Sequence, residues 1–164
     1  MTPPLKVAVA GGSMGGLTAA LLLRDQGHDV TVYERSSEEL QQRGAGIGFL
    51  PDSYRYLVER AGRSLADLAT VTHGIRYLDR HDRVVVDVPC SYHFSSWNTV
   101  YRNLLAEFGR ERYLLGREVV GRDESDDSVT VRFADGSSVA ADLLVAADGV
   151  GSVFRQELMP EVRH

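Results

Sequence analysis

A glycine-rich turn between a strand-like and a helix-like segment constrains this chain most. Residues 5–10 form a short apolar run, and residues 11–16 read Gly-Gly-Ser-Met-Gly-Gly. Residues 17–26 then carry apolar side chains at helical spacing, and residues 29–33 form a second β-branched run that ends at Glu34. This order predicts a βαβ unit, in which two parallel strands are joined by a right-handed crossover.

The same turn favours a dinucleotide-binding site. Bare backbone N–H groups and the helix dipole suit a pyrophosphate, and an acid that ends the second strand suits an adenosine ribose. The strict Gly-x-Gly-x-x-Gly pattern is not met, because Ser13 stands at the second glycine position between Gly11 and Gly16. The alternative interpretation is a turn that is rich in glycine for structural reasons alone.

The rest of the chain predicts an α/β fold. Residues 113–115 and 142–147 are further strand-like runs, and the unbroken apolar character of the second is typical of a buried parallel strand. We expect a doubly wound parallel sheet in the spatial order third, second, first, fourth strand. The other predicted elements are a hairpin (75–79 and 84–88), a helix from Asn98 or Thr99 through Phe108, an antiparallel meander (118–120, 128–133 and 137–140) and a last helix from about Ser152 to the C-terminus.

Composition excludes several classes of protein. The formal net charge of -5 argues against a nucleic-acid-binding protein. The single cysteine, Cys90, cannot form an intramolecular disulfide, which favours a reducing compartment. The apolar stretches are shorter than a membrane span, and the histidines show no metal-like spacing. We therefore expect a cytoplasmic protein with no metal site, no nucleic-acid partner and no membrane segment.

Four segments carry a resemblance to a known family. They are residues 11–17, residues 32–35, the loop 43–48 followed by Pro51, and residues 148–155 with the pattern Asp-Gly-x-x-Ser-x-x-Arg. The chain resembles the single-component FAD-dependent aromatic hydroxylases, which are flavoprotein monooxygenases of the para-hydroxybenzoate hydroxylase type. Within that family, residues 11–13 and 94–96 are similar to the 2,6-dihydroxypyridine hydroxylases.

The resemblance implies a fold, a cofactor and a reaction. The fold is a Rossmann-like FAD-binding domain of the glutathione-reductase type, with an antiparallel meander and part of a substrate-domain hairpin. The cofactor is FAD, which NAD(P)H reduces. Dioxygen then forms a flavin hydroperoxide that hydroxylates a small aromatic or heteroaromatic substrate. The resemblance identifies no catalytic residue.

It also implies which residues bind FAD. Gly11, Ser13 and Gly16 are expected under the pyrophosphate, with Met14 and Gly15 also in the cofactor site, and Glu34 and Arg35 are expected at the adenosine. Arg43, Gly46 and Ile47 are expected near the flavin, and Arg102 is expected to reach the FAD. The last motif contributes Asp148 and Gly149. Arg155 is expected to support the last motif. The alternatives are a solvated strand end for Glu34, surface charges for Arg43 and Arg102, and a helix cap for Asp148. We expect the aromatic residues Tyr92, Phe94 and Trp97 to form a core cluster; the alternative is that they border a substrate cavity.

The family's third motif, a Gly-Asp pair, lies beyond the Asp-Gly motif, and this sequence ends at His164. We therefore expect residues 1–164 to be an incomplete FAD-binding domain that is inactive alone, with residues 72–97 beginning the substrate domain. The apolar strand at 142–147 is expected to be covered by a second copy or by exchanged elements. The alternatives are a natural short form with a partner chain, a non-catalytic flavin- or nucleotide-binding module, and a flavin-dependent reductase or halogenase.

Overall fold

The computed structural model describes residues 3–41, 44 and 46–162. Within that part of the chain, the strands are β1 (Lys6–Ala10), β2 (Asp29–Tyr33), β3 (Gly46–Gly48), β4 (Thr70–Leu78), β5 (Val84–Ser96), β6 (Tyr113–Leu114), β7 (Val119–Glu124), β8 (Val129–Phe133), β9 (Ser138–Ala141) and β10 (Leu143–Ala146). The helices are α1 (Met14–Asp25), α2 (Pro51–Arg55), α3 (Leu65–Leu68), α4 (Trp97–Phe108) and α5 (Val153–Leu158), and a π-helical segment covers Tyr56–Arg60. These elements form two compact units, residues 41–103 and the residues on either side of them.

A parallel sheet organises the unit that contains both chain ends. Its strands follow the order β10-β1-β2-β6, which confirms the predicted order. Val9 of β1 pairs with Val32 of β2 on one side and with Val145 of β10 on the other. Because the carboxyl ends of parallel strands share one edge, the turns that follow β1, β2 and β10 all lie at the same edge of this sheet.

Two layers cover this sheet. The meander β7-β8-β9 packs on one face, where Ala8, Tyr33 and Phe133 belong to one buried cluster. The rings of Tyr33 and Phe133 lie 4.9 Å apart between centroids. Alternate side chains of β1 point to the opposite face, which α1 covers with the fully buried Leu17 and Leu21. The meander and α1 therefore hold the parallel sheet between them.

The other unit, residues 41–103, is built on an antiparallel sheet in the order β3-β5-β4. The predicted hairpin is present, but β4 begins at Thr70 and β5 continues to Ser96. Residues 46–48 were predicted to be irregular, yet they form β3 and pair with residues 94–96. Glycines give no β signal of their own, so this strand depends on the backbone partners that β5 supplies.

Two predicted helix boundaries are wrong. The helix α4 is not capped by Asn98 or Thr99, because the Ser96 hydroxyl accepts the hydrogen bond from the Thr99 N–H at 3.0 Å. The helix α5 ends at Leu158 and does not continue to the C-terminus. The strand β10 lies at the edge of the described sheet, as the predicted strand order implies, and Leu143 is 38% exposed.

The core between the sheet and the meander can be tested with two matched valines. Val131 of β8 is fully buried, whereas Val120 of β7 is 47% exposed. Val131→Ala is expected to lower the free energy of unfolding by about 2 kcal/mol, because it removes two buried carbons and leaves a cavity. Val120→Ala is expected to change it by less than about 0.5 kcal/mol. Urea unfolding of both variants checks this, and equal losses would contradict the layer arrangement.

Candidate functional site

The glycine turn after β1 is pressed against the end of β10. Gly11 has a φ of +103°, and its N–H donates to the Tyr33 carbonyl at 2.8 Å. A Cβ on Gly11 would lie 2.2 Å from the Ala147 carbonyl oxygen, and a Cβ on Gly16 would lie 1.8 Å from the Gly11 carbonyl oxygen. Packing of the protein against itself therefore requires glycine at both positions.

Consecutive backbone donors remain open where α1 begins. The N–H groups of residues 13–16 find no hydrogen-bond partner among the described residues, and the Ser13 side chain does not cap the helix there. The first turn of α1 carries no acidic residue within the described chain. A Cβ on Gly15 would meet no described heavy atom within 4 Å, so nothing in the protein itself fills the space beside it. This arrangement fits an anion such as a pyrophosphate.

Glu34 places a buried carboxylate at the end of β2. Its side chain is held by two backbone donors, the Gly12 N–H at 2.8 Å and the Ser36 N–H at 2.9 Å, and the residue is only 6% exposed. A carboxylate offers about four acceptor positions, so capacity for further hydroxyl donors remains. The structure shows no ion pair to this carboxylate from any residue it describes. Glu34 is therefore not the solvated strand end that was the alternative.

The backbone of Glu34 is also bonded to Arg117, two residues before the meander. Its carbonyl accepts from the Arg117 N–H at 2.8 Å. The Arg117 guanidinium lies 4.2 Å from the centre of the Phe133 ring and pairs with Asp135 at 2.6 Å. Burial raises the pKa of the neighbouring Tyr33, and the positive charge of Arg117 opposes that rise. The position of Glu34 is thus fixed from both its main chain and its side chain.

The Asp-Gly turn follows β10 and meets the glycine turn. A Cβ on Gly11 would lie 3.1 Å from the Asp148 nitrogen, so the two turns lie in contact. The Asp148 carboxylate accepts from the Val153 N–H at 2.9 Å, which is the helix-capping role given as its alternative. Gly149 has a φ of +84°. The guanidinium of Arg155 donates to the Gly149 carbonyl at 3.5 Å and to the Val150 carbonyl, which is the supporting contact expected of it.

The structure thus brings part of the predicted set together. Within one unit it joins the residues that follow β1, β2 and β10, which are Gly11, Ser13, Met14, Gly15, Gly16, Glu34, Arg35, Asp148 and Gly149. Arg35 is exposed, and its side chain forms no ion pair or hydrogen bond with any residue that the structure describes. Gly46 and Ile47 pair with β5 in the other unit, and Arg102 is exposed on α4. Arg43 lies outside the described residues.

Sequence reasoning missed Gly12 and Tyr113. Gly12 donates to Glu34 through its N–H and accepts from the Tyr113 hydroxyl at 2.9 Å through its carbonyl. Tyr113 lies in β6, 101 residues away along the chain, and is buried. No local pattern in the sequence connects two residues so far apart; their contact follows from β6 pairing beside β2.

The predicted aromatic core cluster of the second unit is not formed, because Phe94 is 43% exposed. Instead there are two separate ring pairs: Tyr92 lies 5.0 Å from Phe94, and Trp97 stacks on Tyr101 at 4.9 Å. Among the residues that the structure describes, no His, Cys, Asp and Glu side chains form a group that could hold a metal ion. Nor is any helix in that part of the chain long and apolar enough to cross a membrane.

Comparison with known families identifies the family to which this chain belongs. Residues 4–163 match the family described as FAD binding domain. The chain belongs to this FAD binding domain family. The 2,6-dihydroxypyridine 3-monooxygenase of Paenarthrobacter nicotinovorans is 39% identical over 94% of this chain. The FAD-dependent urate hydroxylase of Klebsiella pneumoniae is 32% identical over 92% of it. The chain spans 39% and 42% of the length of these two relatives.

Solved structures agree with this membership. The 2,6-dihydroxypyridine-3-hydroxylase from Arthrobacter nicotinovorans superposes with a TM-score of 0.91 and 38% identity, covering 98% of this chain and 41% of that one. Klebsiella pneumoniae HpxO, solved with FAD and uric acid, superposes with a TM-score of 0.78 and 28% identity, covering 93% of this chain and 41% of that one. The predicted Rossmann-like fold of an FAD-binding monooxygenase is confirmed.

The glycine turn predicts opposite effects for two neighbouring substitutions. Gly16→Ala is expected to lower the free energy of unfolding by at least about 2 kcal/mol, because the methyl group has no room beside the Gly11 carbonyl. Gly15→Ala is expected to keep the stability or raise it by up to about 1 kcal/mol, because its methyl group meets open space and alanine favours a helix. Urea unfolding without added ligand measures both. A large loss for Gly15→Ala would contradict the open space described here.

Proposed function

We propose that this chain forms the FAD-holding N-terminal part of a monooxygenase that hydroxylates an aromatic or heteroaromatic ring, with NAD(P)H as the reductant. The observation that carries the proposal is the row of open N–H donors at residues 13–16 beside the buried Glu34 carboxylate. An adenine dinucleotide carries a pyrophosphate and a ribose diol, and these are the groups that such donors and such an acceptor bind. Membership of the FAD binding domain family supports FAD as that dinucleotide.

Different residues would bind different parts of the cofactor. The backbone of residues 11–16 would bind the pyrophosphate, and Glu34 would accept hydrogen bonds from the adenosine ribose, with Arg35 beside the adenine. Asp148 and Gly149 form a turn in contact with the glycine turn, and this proximity supports a place for them at the same cofactor. Contacts of Arg43, Gly46 and Ile47 with the flavin, and of Arg102 with the FAD, rest on the family resemblance alone and stay predictions.

The chemistry divides between the cofactor and the chain. FAD, when bound, supplies the redox chemistry that activates dioxygen for transfer to a ring. The residues of this chain orient the cofactor through fixed main-chain donors, and Glu34 holds the ribose end in place. No described side chain can be identified as the base that would deprotonate the substrate. Hydroxylation is thus assigned to the longer enzyme, and we expect this chain alone to be inactive.

The substrate class is drawn from the relatives. Their names give a dihydroxypyridine, urate and a 3-amino-4-hydroxybenzoate, which are all electron-rich rings that carry oxygen substituents. We infer a small ring of this class for the enzyme to which this chain corresponds. Residues 72–97 would begin the part of the molecule that receives it. A second copy or exchanged elements covering β10 also remain a prediction.

The test is a titration of the chain with FAD, followed by quenching of flavin fluorescence. Saturable binding in about the micromolar range or tighter is expected. Gly15→Ala is expected to weaken FAD binding at least about tenfold, because its methyl group would occupy the space proposed for the pyrophosphate. The control is Leu22→Ala, at an exposed position on the same helix, which should bind like the wild type.

Two outcomes of this titration would count against the proposal. A wild-type chain that is folded but does not quench flavin fluorescence would contradict a cofactor site built from these residues. Unchanged affinity in Gly15→Ala would contradict the assignment of the pyrophosphate to the start of α1. Since this variant is expected to fold as stably as the wild type, a loss of affinity could not be attributed to unfolding.

A further inference from the structure

The glycine turn is held by a side chain that comes from a distant strand. Tyr113 of β6 is 5% exposed, and its hydroxyl donates to the Gly12 carbonyl at 2.9 Å. A Cβ on Gly12 would lie 2.4 Å from the Tyr113 hydroxyl oxygen and 2.6 to 2.7 Å from two of its ring carbons. The turn therefore lies directly against the phenol ring, and Gly12 has to be glycine because of it.

The hydrogen bond fixes the direction of one peptide unit. Every described peptide bond is trans, and in a trans peptide the C=O and the following N–H point in opposite directions. Because the Gly12 carbonyl points to Tyr113, the Ser13 N–H points away from it. That N–H is one of the open donors at the start of α1.

Among the residues that the structure describes, no donor other than the Tyr113 hydroxyl reaches the Gly12 carbonyl. Glycine has access to more backbone conformations than any other residue, so a peptide next to it rotates easily. The Glu34 carboxylate holds the N–H of Gly12, which belongs to the preceding peptide unit, at 2.8 Å. Rotation of the Gly12–Ser13 peptide would turn a carbonyl dipole toward the place where a phosphate binds, which is unfavourable for an anion.

We propose that Tyr113 is a positioning residue that orients the Gly12–Ser13 peptide so that the Ser13 N–H faces the phosphates of the cofactor. This inference rests on the proposed function for the identity of the ligand, but the orientation of the peptide is a property of the chain itself. Tyr113 touches neither phosphate nor flavin in this role. It acts through the turn, so its removal affects ligands that carry phosphate and spares those that do not.

Tyr113→Phe tests this with the loss of a single oxygen atom. The control is Tyr33→Phe, which removes a hydroxyl from a buried tyrosine of the neighbouring strand whose ring packs on Phe133. FAD and ADP are titrated against both variants and the wild type, and adenosine is titrated by NMR. Tyr113→Phe is expected to bind FAD and ADP about three- to tenfold more weakly, with adenosine affinity unchanged. Tyr33→Phe is expected to match the wild type for all three.

Unchanged affinity of Tyr113→Phe for ADP would overturn the inference. So would an equal loss for ADP and adenosine, because a merely structural role would loosen the whole site. The ¹⁵N relaxation of the Ser13 N–H gives a second readout that needs no ligand, because this N–H belongs to the Gly12–Ser13 peptide. Its order parameter is expected to fall in Tyr113→Phe and to stay unchanged in Tyr33→Phe; equal values in the two variants would overturn the inference. If the wild type binds no FAD, the proposed function fails, and the order parameter of Ser13 still decides whether Tyr113 orders the turn.

Discussion

The contact between the glycine turn and the end of β10 is the constraint on which the rest of this unit depends. The Ala147 N–H donates to the Ala10 carbonyl at 2.8 Å, and no side chain fits between Gly11 and the Ala147 carbonyl. Parallel pairing of β10 with β1 brings the two turns to one edge of the sheet, although their motifs lie far apart in the sequence. The meander lies between the two motifs in the sequence and leads the chain into β10. Its buried contacts with β1 and β2 fix where β10 begins.

The site uses main-chain donors for two different tasks. Some of them, at Gly12 and Ser36, hold the Glu34 carboxylate in a buried position and so compensate for its loss of water. Others, at residues 13–16, have no hydrogen-bond partner in the part of the chain that the structure describes. The three glycines at 11, 12 and 16 are needed for packing within the protein, whereas Gly15 borders open space. The first three glycines therefore build the turn, whereas we propose that the small size of Gly15 leaves room for the ligand.

The sequence predicted the parallel sheet well, because its strands are short apolar runs and a βαβ crossover has a fixed hand. It also located the turns at Gly11 and Asp148, since each follows such a run directly. It failed where an element depends on distant partners. The strand at 46–48 has no β-forming residues beyond Ile47, and its existence depends on β5. The contact between Gly12 and Tyr113 could not be predicted either, because only the folded sheet brings β6 to the glycine turn.

The most direct test of this account is an NMR map of backbone amide shifts as FAD is added to the isotope-labelled chain. The largest changes are expected on the amides of residues 13–16, with further changes at residues 34–36 and 148–149. Changes concentrated elsewhere, for example around the cavity of about 340 Å³ lined by Arg122, Asp142 and Phe154, would contradict it. An unperturbed spectrum at saturating FAD would contradict it as well.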